Sequence, residues 1–136
     1  MRTTRGESRV WLAPLFFLGA ATASAIYLFR RFDRYAVDGR SMLPTLQEGD
    51  WVIVDRRAYP GVPGPGDVVV ARDPREPTRL VFKRVNHIDL HKRAWLLGDN
   101  SEESTDSRVF GGVAQDAVLG KVRWRYWPPG RAGRVR

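Results

Sequence analysis

Gly49-Asp50-Trp51-Val52-Ile53-Val54-Asp55 decides the fold, because its pattern recurs seventeen residues later as Gly66-Asp67-Val68-Val69-Val70-Ala71. Each copy sets a Gly-Asp turn ahead of a short β-branched run, which is how a tight turn feeds a strand. The two copies read as neighbouring strands of one sheet. Between them, Tyr59 to Asp67 (YPGVPGPGD) holds three Pro and three Gly. That composition forbids helix and central strand and leaves a surface loop.

Further along, a polar stretch with Pro74 and Pro77 precedes the strand Leu80-Val81-Phe82-Lys83-Arg84-Val85. Residues 94–97 (AWLL) form another short strand that ends at Gly98. The polar run Asp99 to Arg108 (DNSEESTDSR) reads as a loop that buries little. Val118 to Trp127 alternates, with Val122, Trp124 and Tyr126 on one side and Lys121, Arg123 and Arg125 on the other. Helical periodicity is absent past the N-terminal apolar run, so the expected fold is an all-β globular domain behind one N-terminal transmembrane helix.

That apolar run, Val10 to Phe29, is twenty residues without a charge, closed off by Arg9 and Arg30. A helix of that length spans about 30 Å, the thickness of a hydrocarbon core. Trp11 and Tyr27 lie near its ends, where amphipathic rings favour the interface. A cleaved signal peptide is the competing reading: Arg2, Arg5 and Arg9 make a basic n-region and Ala23-Ser24-Ala25 resembles a cleavage site. The run continues through Ile26-Tyr27-Leu28-Phe29, which a removed signal does not need, and this favours an anchor. The resulting layout is a basic flank at 1–9, an anchor at 10–29, a connector at 30–36, a globular domain at 37–128 and a basic tail at 129–136.

The chain has 136 residues, a size for one small domain, and no cysteine. Disulfides, thiol catalysis and cysteine-based zinc sites are excluded. The net charge of +8 gathers at the two ends: residues 41–120 carry ten basic and twelve acidic groups, whereas 121–136 carry six basic groups and no acid. A nearly neutral domain with basic ends points to a lipid bilayer as partner and away from nucleic acid.

Gly39-Arg40-Ser41-Met42-Leu43-Pro44-Thr45 presents a serine in a setting that suits a nucleophile. Gly39 permits close approach of a substrate backbone, Pro44 stiffens the turn, and Met42 and Leu43 form an apolar lip beside the hydroxyl. Lys83 lies between Val81 and Val85 on one face of its strand, an ammonium on an apolar stripe. Desolvation there lowers the pKa and makes the amine a general base; a stem covering the sheet with its head in water is the plainer alternative. Ser104 is placed to orient such an amine. Asp106 and Arg108 are two apart and suit a charge pair, while Asp99 and Asn100 are good turn formers.

Ser41-Met42-Leu43-Pro44-Thr45, Gly66-Asp67-Val68-Val69, Lys83-Arg84-Val85 and Gly98-Asp99-Asn100…Ser104…Asp106-Ser107-Arg108 resemble, in order, the sequence boxes of the type I signal peptidases. These are membrane-anchored serine endopeptidases with a Ser-Lys dyad, and the resemblance covers Val37 to Pro128. It implies that Ser41 attacks the scissile carbonyl, Lys83 takes its proton, Ser104 orients Lys83, and Asp106 and Arg108 brace the loop. The Ser41 amide would supply part of an oxyanion hole, with no cofactor or metal. Substrates would be precursor proteins with an N-terminal leader, small residues at the first and third positions before the cut, bound extended against a strand edge. The domain would then lie on the extracytoplasmic side.

Three departures bear on the substrate. Gly39 stands where some members carry a second oxyanion-hole hydroxyl. Fourteen residues separate Lys83 from Gly98, so the large cap of many bacterial members is missing, and Asn86-His87-Ile88-Asp89 replaces the Gly-Asp that often follows the lysine strand. This short, single-anchor form is similar to mitochondrial inner-membrane peptidases and to maturation proteases of nickel superoxide dismutase, which makes a superoxide dismutase precursor a candidate substrate.

Other readings are weaker. His87 and His91 have helical metal spacing but lie in a strand link without a third ligand; either would serve as base in a Ser-His-Asp triad. Asp99 to Asp106 lacks the alternating oxygens and central Gly of a calcium loop. Self-cleaving repressor-type peptidases share the dyad but lack the anchor and the Asp-Ser-Arg loop. An inactive membrane-tethered binding module, using Lys121–Arg125, is the alternative from another class.

Overall fold

The computed structural model describes residues 12–57 and 63–136. The basic flank, Val10, Trp11 and the first part of the Pro/Gly loop therefore lie outside the described residues. Helix α1 runs Leu12–Arg31, with Arg30 and Arg31 in its last turn, where cations offset the negative end of the helix dipole. Its span Ala13–Arg31 has a mean hydropathy of 1.3 and is long and apolar enough to cross a membrane. Inside it the Thr22 hydroxyl donates to the Leu18 carbonyl, so this polar side chain near mid-span stays satisfied.

Phe32–Arg136 forms a separate unit built on one antiparallel sheet. Its strands are β1 (Phe32–Ala36), β2 (Trp51–Asp55), β3 (Val68–Arg72), β4 (Leu80–Ile88), β5 (Ala94–Leu97), β6 (Val118–Trp127) and β7 (Gly133–Arg134). The order is β1-β2-β6-β3-β4-β5, with β7 also pairing β6. Gly49 and Gly66 both take φ near +86°, the left-handed conformation that opens each Gly-Asp turn. The two turns do feed strands of one sheet, but β2 and β3 are not neighbours: β6 lies between them. Local turn chemistry starts a strand without choosing its partner, which comes from far along the chain.

Both faces of the sheet bury apolar side chains. Val68 and Val70 of β3 join Val37, Met42, Leu46, Val52, Val54, Phe82 and Val122 in one cluster. Val69 and Ala71 point the other way and join Val81, Val85, Ala94, Leu96 and Val113. The unbroken Val68-Val69-Val70-Ala71 run has this cause, since a strand covered on both faces has no polar side.

Several boundaries differ from expectation. The 30–36 connector is instead the end of α1 followed at once by β1, which pairs with β2 from Phe32↔Asp55 to Ala36↔Trp51. Its charges masked a strand: Arg34 is exposed, Tyr35 packs on the first cluster and Asp33 pairs with Arg56 at 3.2 Å. The 129–136 tail is not loose either. It makes a short turn at Pro129–Arg131 and then β7, with Val135 against the first cluster. The Asp99–Arg108 run contains a helical turn and starts helix α2 (Ser107–Phe110), and it buries both Asp106 and Ser107.

The alternation expected along β6 also breaks. Val122 lies opposite Val54 in the first cluster, yet Trp124 lies opposite Ile53, so one extra residue bulges between them. A bulge reverses the faces of everything beyond it. Trp124 is consequently exposed, and Arg125, opposite Val52, is turned to the core side.

Candidate active site

The Ser41 segment is pinned by its neighbours. Met42 and Leu46, both fully buried in the first cluster, sit four apart, and the Leu46 amide donates to the Met42 carbonyl at 2.9 Å. Met42 therefore anchors the turn rather than forming a lip. Leu43 is half-buried and Pro44 exposed, while Gly39, at φ +84°, shares a cleft with Ser41. Below the turn, the fully buried Asp50 accepts from the Gln47 amide at 2.9 Å and pairs with Arg125 at 3.3 Å and with Arg131. Arg125 also donates to the Thr45 carbonyl at 2.9 Å. Nothing in the residue pattern pointed to Arg125, because an unbulged strand turns it to solvent.

From the other side, Gly98 and Asn100 close on the same turn. The Asn100 amide donates to the Ser41 carbonyl at 2.9 Å, and its Nδ2 donates to the Arg40 carbonyl at 3.1 Å. Asp99 accepts from Thr45 Oγ1 at 2.6 Å and takes a two-pronged contact from Arg84 at 2.7 and 2.8 Å. Burial pushes the Asp99 pKa up, but Arg84 and Thr45 more than reverse this and leave it lowered. Asp99 and Asn100 thus act across 54 residues and more, not within their own turn. Thr45 and Arg84 had carried no role in the residue reading; their link appears only when β4 and the serine turn are brought together.

Lys83 stands in β4 between Val81 and Val85 of the second cluster and is 3% exposed. Burial pushes its pKa down to about 8, against partial opposition from Asp106 and with Arg79 adding to the fall. Its Nζ donates to Ser104 Oγ at 2.9 Å, and Ser104 Oγ donates to Asp106 Oδ2 at 2.7 Å. Asp106, fully buried, also accepts from the Gly98 amide at 2.9 Å and from Arg108 at 2.7 and 2.8 Å, and it caps α2. Burial alone raises its pKa; these donors outweigh that and hold it well below the usual carboxylate range. The chain Lys83–Ser104–Asp106–Arg108 is continuous.

Ser41 and Lys83 line one cleft of about 290 Å³, together with Asp38, Arg40, Arg79 and Glu103 among others. His87 and His91 do not line it. His87 stacks on Trp95 with ring centroids 5.4 Å apart, and Asp89 between them is engaged by Arg93. Among the described residues, no three His, Cys, Asp or Glu side chains converge to hold a metal.

The sequence has relatives among known proteins. The family described as signal peptidase, peptidase S26, matches residues 9–88 and 90–127. A mitochondrial ATP-independent inner membrane protease subunit 1a from Arabidopsis thaliana is 34% identical over 142 aligned residues, covering 84% of each chain. The mitochondrial inner membrane protease subunit 1 of Homo sapiens is 31% identical over 111 residues, 66% of each chain. A signal peptidase I from Bacillus caldolyticus is 26% identical across 91% of this chain and 92% of its own. With the family pattern running unbroken through both the serine turn and the lysine strand, this chain belongs to the peptidase S26 family of signal peptidases.

Proposed function

We propose that this protein is a membrane-anchored serine endopeptidase that cuts N-terminal leaders from precursor proteins, with Ser41 as nucleophile and Lys83 as general base. The observation that carries the reading is Lys83: a lysine excluded from solvent, brought to a pKa of about 8 and aimed by Ser104 within the cleft that holds Ser41. A lysine at its ordinary pKa is charged at neutral pH and accepts no proton.

Ser41 Oγ bonds to the scissile carbonyl carbon as its proton passes to Lys83 Nζ. The carbonyl oxygen gains charge opposite the Ser41 backbone amide, an interaction made in the transition state. Collapse breaks the C–N bond, and Lys83 returns the proton to the leaving amine. Water then hydrolyses the acyl-serine with Lys83 again as base. Ser104, Asp106 and Arg108 position the amine, and Asn100 and Asp99 position the serine turn. Gly39 brings no hydroxyl to the oxyanion site, so a second donor there is backbone or absent.

The domain acts from the extracytoplasmic side, as its family resemblance suggests, on chains with small residues at the first and third positions before the cut. The short Lys83–Gly98 span leaves no cap over the cleft and favours a dedicated substrate, with the leader of a superoxide dismutase precursor the first to try. The test uses the full chain in lipid vesicles with leader-bearing precursors and a covalent serine-reactive probe. Ser41→Ala and Lys83→Ala abolish cleavage, Ser41→Ala abolishes labelling, and His87→Ala and His91→Ala cut normally. Cleavage that survives Ser41→Ala refutes the reading, and absent labelling of the unaltered chain favours a tethered binding module.

A further inference from the structure

The cleft is charged along its length, and most of that charge is already neutralised. Arg40 pairs with Glu103 at 3.5 Å, and Arg75 pairs with Asp73 at 2.7 Å while lying over the Phe110 ring. Lys83 aside, Asp38 and Arg79 are the cleft charges left without an ion-pair partner among the described residues. Arg79 is exposed, but its backbone is fixed: its amide donates to the Glu76 carbonyl at 2.8 Å and its carbonyl accepts from the Asp73 amide at 2.9 Å. This guanidinium sits on a fixed stem in no direct ion pair among the described residues, although its field already reaches Asp73, and its fork suits a carboxylate.

Among the described residues, the first part of the strand beside it has no strand partner on its second side. β3 pairs with Leu80–Arg84 of β4, whereas β5 pairs with β4 from Arg84 to Ile88. Leu80, Val81, Phe82 and Lys83 therefore meet β3 on one edge and the cleft on the other. An extended peptide laid along that edge advances about 3.3 Å per residue, in step with β4. With the bond to be cut at Lys83, the peptide residue four positions away comes level with Arg79. Arg79 lies in the bend just ahead of β4 and lines the same cleft as Val81 and Lys83, which puts that peptide side chain on its side of the cleft.

We propose that Arg79 selects substrates bearing an acidic side chain four residues from the scissile bond. This deepens the reading of Ser41 and Lys83 as the catalytic pair and rests on it. Asp38, the other unpaired charge, belongs to the serine segment, so the cationic end of the cleft is the Arg79 end.

Internally quenched peptides with Ala-Xaa-Ala before the cut test it, in two series carrying Glu, Gln or Lys at the fourth residue before or after the bond. For the full chain in detergent micelles, kcat/KM ranks Glu above Gln above Lys in one series, by about two- to fivefold per step at low salt. The ratios shrink with added salt. Arg79→Gln flattens them and Arg79→Glu inverts them. Because Arg79 also bears on Lys83, each variant is read against its own Gln peptide. Equal ratios in both series, or ratios that Arg79→Glu leaves unmoved, overturn the inference while leaving the catalytic pair intact. Failure of the unaltered chain to cut any peptide, with no serine labelling, removes the catalytic pair and this inference with it.

Discussion

One added methyl group at Gly98 should disable the enzyme. A Cβ built there falls 2.1 Å from Ser104 Oγ, 2.5 Å from Ser104 Cβ and 2.6 Å from the Ser41 carbonyl oxygen. Comfortable separations are about 3.5 Å, so each neighbour must retreat by roughly 1 Å. Neither is free to do so cheaply. Ser104 is tied to Lys83 and Asp106, and the Ser41 carbonyl is tied to the Asn100 amide. The displacement falls on the distance between the proposed nucleophile and base, where about 1 Å of misplacement costs on the order of a hundredfold in rate. Overpacking adds about 1–3 kcal/mol of lost stability. Gly98→Ala is to be assayed for kcat on a cleavable peptide, with thermal unfolding followed by circular dichroism to keep the assay below the transition. The expected result is a roughly hundredfold lower kcat in a protein whose Tm falls by several degrees. Near wild-type kcat in the folded variant refutes the reasoning, because it means Gly98 does not hold the two serines in place.

Cleavage should depend on the Lys83 proton. With a pKa of about 8, about a tenth of the amine is neutral at pH 7, against well under about 0.1% for an ordinary lysine, so kcat/KM rises as pH increases through about 8. A profile flat across that range rules Lys83 out as the base. The same burial bears on stability: with its folded pKa below the usual 10.5, Lys83 releases its proton more readily in the native state. The native state is thus penalised in full below about 8, and the penalty fades as pH climbs to 10.5. Lys83→Met should be inactive yet more stable at pH 7 by up to about 3 kcal/mol, read from the urea midpoint; lower stability contradicts the desolvation argument. Arg125→Ala should cost about 1–3 kcal/mol and lower kcat, since it strips a donor from the Thr45 carbonyl and from buried Asp50. Arg123→Ala, which removes a longer 3.5 Å contact to Asp55, should cost less; the reverse ranking in denaturant melts speaks against the bulge as placed.

Part of the candidate site's geometry was legible because it follows from short, ordered motifs. A lysine between two valines in a strand must share their face, and it does, against Val81 and Val85. The Asp106–Arg108 pair was readable from a spacing of two. What stayed hidden was carried by distance along the chain. Thr45 meets Asp99, Arg84 meets Asp99, and Arg125 meets Thr45 across gaps no local pattern encodes. The Asp99–Arg108 run looked too polar to bury anything, yet Asp106 is sealed inside because Gly98, Ser104 and Arg108 satisfy its oxygens. Likewise β1 was concealed by charges, of which Asp33 finds its partner Arg56 once the strands are paired, and β7 by its length of two residues.

By itself the sequence determined the strands β2 to β6, the apolar helix ahead of them, and a serine and a lysine as candidates for the chemistry. Those properties follow from side-chain periodicity and from φ preferences at glycine and proline, which act within a few residues. Only the tertiary structure decided that β6 separates β2 from β3, that Met42 is an anchor, and that Arg125 faces inward beneath the serine turn. The physical reason is that a bulge and a strand partner are settled by packing between segments far apart in the chain, so neither leaves a mark on the local pattern.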